Sequence, residues 1–125
     1  MGKEEWIHFQ VSDIGLITDI KTNLQWYVGP DKDTTWEEAK SWVDNLTIDG
    51  GGWRMPTRKE LLGLYQNGKG NRNMDLIFKM TGWWVWASEV KDSSSAWGVG
   101  FDRGAGYYDS RSDSRYGRVF AVRQA

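Results

Sequence analysis

Apolar and polar residues alternate at the start of the chain, so WIHFQV at 6–11 is predicted to be a strand. GLITDIKTNLQW then reads as a hairpin, with 15–18 outgoing, a polar turn over 19–23 and 24–27 returning. Gly29 and Pro30 punctuate a turn in VGPDKD. After that the apolar period changes from two to that of a helix. Thr35 and Glu38 stand three apart, as in a capping box, in which each side chain satisfies the other's free backbone N–H. Trp36, Ala39, Val43 and Leu46 follow on one helical face, widened by Trp42, and the helix is expected to end near Leu46. After the loop IDGGG, Thr57 and Glu60 repeat the box behind Pro56, and Leu61, Leu62, Leu64 and Tyr65 carry a short helix to the break NGKGNRN. Residues 74–80 are read as one more helical turn.

From Trp83 the pattern is that of strands. WWVWAS, SAWGVGF, YYDS and YGRVFAVR, separated by polar turns, predict an antiparallel meander. A strand, a hairpin, two helices and then strands make the fold class α+β, in one domain spanning 1–125. In SAWGVGF, alternation places Trp97, Val99 and Phe101 on the core face and Gly98 and Gly100 on the other. That bare face invites a close approach, and neighbouring tyrosine or tryptophan rings are expected to fill it; a ligand platform is the alternative.

Composition narrows the chemistry. Sixteen basic residues against 17 acidic argue against a general nucleic-acid binder, whose affinity comes from phosphate contacts. Arg103, Arg111, Arg115, Arg118 and Arg123, interleaved with Asp102, Asp109 and Asp113, read as a solvated stripe rather than an anion site. With no cysteine, a disulfide framework, a thiolate metal site and a cysteine nucleophile all drop out. The single histidine, His8, reads as a surface or packing residue, and no metal or cofactor is expected. No stretch is long and apolar enough for a membrane span, and MGKEEWIHF lacks the apolar core of a signal peptide. The expectation is a cytoplasmic chain or one whose export signal has been removed. The nine tryptophans are several-fold more than an ordinary domain of this size carries.

The order TWEEAKSWVDNL, GGWRMPTRKELLGL, WVWASE, SAWGVGF and YGRVFAVR resembles the Lcl C-terminal domain family over about 15–123. That family occurs in bacterial surface and envelope proteins. The resemblance implies a C-type-lectin-like fold, distantly related to formylglycine-generating, sulfatase-modifying domains, and a location at the cell surface or in the periplasm. Within the shared WRMPTRKEL, Trp53 is expected to pack inside. Arg54 is expected to bond loop carbonyls or a carboxylate, while Pro56, Thr57 and Glu60 set the second helix. The whole reads as a fold staple rather than a catalytic group. Members often carry cysteines where this chain has Val43 and Ala121, implying a packed contact here in place of a bridge. Gly52 stands where the family commonly has an aspartate. The calcium-ligand motifs of true C-type lectins are missing, and Asp31 and Asp33 read more simply as turn residues. Formylglycine generation would need cysteine.

The function expected is a non-catalytic recognition module. Its glycan or protein ligand would meet Trp83, Trp84, Trp86, Tyr107, Tyr108, Asp109, Arg111, Arg115 and Tyr116 in the C-terminal strands and loops. The alternative is a structural domain that self-associates through surplus aromatics. An enzyme is the least favoured reading, with Asp102 and Asp109 as its only local acid–base pair.

Overall fold

A computed structural model describes residues 8–125. Trp6 and Ile7 of the predicted first strand lie outside the described residues, and β1 is Phe9–Val11. β2 (Ile17–Asp19) and β3 (Leu24–Val28) form the expected hairpin. The helices are α1 (Trp36–Asp44) and α2 (Arg58–Leu62). β4 (Trp84–Val90), β5 (Ser95–Gly100), β6 (Ala105–Ser110), β7 (Gly117–Arg118) and β8 (Phe120–Gln124) complete an α+β chain.

Among the described residues two four-stranded sheets result, ordered β1-β2-β3-β8 and β6-β5-β4-β7. The predicted meander holds across β4, β5 and β6 and fails at its end. Gly117 and Arg118 pair parallel with β4, and the chain then crosses to run antiparallel to β3. The cause is a buried apolar run. Val119, Phe120, Ala121 and Val122 are each at most 1% exposed, so this segment has cover on both faces; it ends its sheet beside β3, with Arg54 bridging its outer edge at Val122. Phe120 and Val122 enter one core cluster, with Trp26, Leu61, Phe78, Val85 and Val99. Val119 and Ala121 enter the other, with Trp36, Val43, Trp53, Met55 and Trp86. Val43 and Ala121 are thus buried in the same cluster.

Both capping boxes form, each with the threonine hydroxyl accepting from the glutamate N–H and the carboxylate accepting in return. α1 stops at Asp44 with Asn45 as its cap, two residues before the expected end near Leu46. α2 has only five residues. Beyond it, Leu64 and Tyr65 bond back three residues, to Leu61 and Leu62, in tight turns rather than helix. The helical turn expected over 74–80 is replaced by turns. Asp75 takes the N–H groups of Ile77 and Phe78 on its carboxylate and carbonyl oxygens, a local competitor to helix. Met74, Phe78 and Met80 still bury their side chains from this irregular segment.

Val99 and Phe101 are fully buried and Trp97 packs half-buried beside them, as the alternation in β5 predicts. Rings also close the glycine face: a Cβ on Gly98 would lie 2.5 Å from the Trp84 indole and 2.7 Å from the Val85 carbonyl oxygen. Gly98→Ala is therefore expected to lower stability by about 2 kcal/mol through overpacking, read from urea unfolding. An unchanged midpoint would show that Trp84 is not held there.

Candidate ligand-binding cleft

The WRMPTRKEL segment acts as a staple between elements. The Arg54 backbone bonds that of Val122 in both directions, at 2.9 and 3.0 Å, tying the segment to β8. Its guanidinium donates to both oxygens of Glu60 at 2.8 and 2.7 Å, so of the two acceptors expected it is mainly the carboxylate that is used. Trp53 is buried, and its N–H donates to the Ile48 carbonyl at 2.9 Å. The Pro56 carbonyl accepts from Ser88 on β4 at 2.8 Å. Glycine-loop carbonyls are pinned instead by Arg123, which reaches Asp49 and Gly51 and lies 4.2 Å from the Trp53 ring centroid.

The arginine stripe is thus only partly a solvated face. Arg118 is 7% exposed and donates to Asp31 at 2.8 Å, Asp33 at 3.0 Å and the Thr81 hydroxyl at 3.1 Å. The two aspartates read as turn residues are the anchors of this charge. For Asp31, burial pulls the pKa up, but the Thr81 N–H and Arg118 outweigh it and leave the carboxyl below its ordinary value. Asp33 also accepts from the Tyr116 N–H at 3.2 Å, and the Tyr116 carbonyl accepts from Trp84 at 3.3 Å. Arg118 and its partners, 85 and 87 residues apart in the chain, therefore set where Tyr116 stands beside β4.

A cleft of about 220 Å3 opens there, lined by Trp83, Trp84, Trp86, Gly100, Asp102, Tyr107, Asp109, Asp113, Arg115 and Tyr116. Trp83, Trp84, Trp86, Tyr107, Asp109, Arg115 and Tyr116 among the predicted ligand residues meet in it. Trp86 is only 1% exposed and its N–H is spent on the Thr34 carbonyl, so it forms the base rather than a contact surface. The Trp84 and Tyr107 rings stand 6.2 Å apart, tilted by 33°. The Trp84 indole N–H is buried without an acceptor, so this residue offers its ring rather than a hydrogen bond. Asp113 and Arg115 pair at 3.2 Å, which holds the aspartate below its usual carboxylate range and raises the arginine. Asp102 is a lining residue that the sequence offered as part of the charge stripe and as half of an acid–base pair, not as a ligand contact.

Tyr108 and Arg111 lie elsewhere. Tyr108 is on the opposite face of β6, packed edge-on against Trp97 with Lys91 over its ring at 4.5 Å. Arg111 makes a bidentate pair with Glu37 at 2.7 and 2.8 Å and covers Trp36. A larger hollow of about 540 Å3 lies between His8, Lys21, Gln66, Lys69 and Asp75, but polar chain ends form most of its walls.

The model of the Lcl C-terminal domain matches residues 15–123, and the chain belongs to that family. No curated protein matches the chain. The matched span includes both the staple and the cleft.

Glu60 gives a pH test. Arg54 holds its carboxyl below the usual 4.5, so its stabilisation is fully present above that pH and lost as pH falls through the lower folded value. Urea unfolding between pH 3 and 6 should show a steeper acid loss for the natural protein than for Glu60→Gln; parallel curves would remove Glu60 from the account. Arg118→Met should cost on the order of 3 kcal/mol by the same measurement, since it strips two aspartates of their buried partner.

Proposed function

We propose that this domain is a non-catalytic recognition module of C-type-lectin-like fold that takes one glycan ring in the cleft beside β4. The observation that carries the reading is the pairing of exposed rings, in one concavity, with two carboxylates that make no ion pair among the described residues. Tyr107 and Tyr116 are 38% and 63% exposed, Trp84 stands next to Tyr107, and Asp102 and Asp109 complete the wall. Sugars present apolar C–H faces that lie on aromatic rings, and hydroxyl edges that donate to carboxylates. Few polar groups among rings is also the usual make-up of a small-molecule site, and the volume suits one ring rather than a chain. Two helices flanking two sheets, with an irregular segment before the last strands, is the arrangement the lectin-like reading asks for.

Catalysis is not favoured. A general acid needs a raised pKa, whereas Arg115 holds Asp113 ionised in the same cleft. The observation for a second reading, self-association, is an apolar hollow of about 360 Å3 lined by Val11, Ile14, Ile17, Tyr27 and Ile77. Val11 and Ile14 are 54% and 53% exposed there.

Binding to an array of neutral, amine-bearing and sulfated glycans, with calcium and with chelator, tests the proposal. The expected result is a calcium-independent hit weakened at least about tenfold in Tyr107→Ala with Tyr116→Ala and unchanged in Tyr108→Ala. A blank array together with a dimeric mass that Ile14→Glu dissociates would replace recognition by self-association.

A further inference from the structure

This inference rests on the reading of the cleft as a glycan site and names the chemistry of its ligand. We infer that the sugar it takes carries a positively charged amine, held between Asp102, Asp109 and the rings of Trp84, Tyr107 and Tyr116. Charge is the first ground. The lining holds three aspartates and one arginine. Arg115 is engaged with Asp113, and its chain is 81% exposed, so water screens its pull on Asp109. Asp102 and Asp109 make no ion pair among the described residues; they accept the backbone N–H of the next residue, Arg103 and Ser110, and Asp109 also meets the side chain of Asp113. An anionic sugar would meet two uncompensated like charges there, and a neutral one would leave them so. A protonated amine neutralises them through charge-assisted hydrogen bonds.

Geometry is the second ground. The Asp102 Oδ1 atom lies 2.7 Å and the Tyr107 ring edge 3.2 Å from the point a Cβ on Gly100 would occupy. A carboxylate and a ring therefore pack side by side over the Gly100 backbone, which fixes Asp102 next to Tyr107 in the wall of the cleft.

The third ground is how this protein uses its other rings. Among the described residues five rings carry one of the chain's own cations: Trp36, Trp53, Trp83, Trp97 and Tyr108, under Arg111, Arg123, Arg72, Arg58 and Lys91, at 4.0–4.5 Å. Trp84, Tyr107 and Tyr116, the cleft's other rings above its buried Trp86 base, have none among the described residues, although they stand beside carboxylates that would reinforce one.

The test uses the whole isotopically labelled chain, titrated with glucosamine, N-acetylglucosamine and choline while NMR follows the Trp84 indole and Tyr107 signals. Glucosamine and its acetylated form share a ring and differ in charge. Glucosamine should bind about tenfold more tightly, and the preference should vanish in Asp102→Asn with Asp109→Asn. Those asparagines keep the Oδ1 acceptors of the two backbone bonds, so the apo spectrum reports directly whether the fold is intact. Equal affinity for both sugars at these signals would overturn the cation and leave the glycan reading standing. Choline alone shifting them would support the cation and overturn the sugar. No shift with any of the three, or with any array hit, would overturn both.

Discussion

Burying a guanidinium costs several kcal/mol unless its donors find acceptors, and the joint between the two sheets is built on one that does. Arg118 draws Asp31 and Asp33 from the turn after β3, Thr81 from the segment before β4, and the Gly117 carbonyl beside it. These contacts hold β7 against β4 for only two residues before the chain leaves for the other sheet. A Cβ on Gly117 would lie 2.5 Å from the Thr34 carbonyl oxygen, so a side chain there would force this crossing apart. Tyr116, immediately before, adopts φ of 59° with its ring outward, a left-handed conformation uncommon outside glycine. The wall of the cleft is thus placed by the charge at the sheet junction.

The tryptophans serve two main uses, filling the core and carrying arginines, and Trp36 and Trp53 do both. Trp26, Trp36, Trp53 and Trp86 are buried and fill the two clusters that the double-faced β8 separates. Trp83 and Trp97 are platforms for arginines whose other donors bond elsewhere: Arg72 also holds the Thr81 and Gly82 carbonyls, and Arg58 pairs with Glu89. Stacking a guanidinium keeps a long side chain ordered at the surface and stabilises the loops it bonds. Trp84 belongs to neither group, being half-buried with an unpaired N–H, and it stands in the cleft.

Much of this was legible where the determining chemistry is local. Both capping boxes, the hairpin of β2 and β3, and the core face of β5 follow from neighbours a few residues apart. The crossing of the last strand did not, because period-two alternation cannot distinguish one exposed face from cover on both. The same ambiguity made Trp86 look like a surface ring, although alternation with Val85 and Ala87 only places it on the opposite face. Residues 74–80 carry apolar spacing that suits helix, but Asp75 satisfies the backbone locally. The pairing of Arg118 with Asp31 and Asp33 left no local trace. Of the residues read as ligand contacts, Trp83, Trp84, Trp86, Tyr107, Asp109, Arg115 and Tyr116 line one cleft, while Tyr108 faces away because adjacent strand positions face apart, and Arg111, beyond the end of β6, is drawn to Glu37.

The most direct test is a crystal structure of the domain grown with glucosamine. The account predicts a sugar ring against Tyr107 and Tyr116, with its amine within hydrogen-bond distance of Asp102 or Asp109. A sugar seated instead in the hollow by Lys21 and Lys69, or a cleft covered by a second copy of the chain, would contradict it.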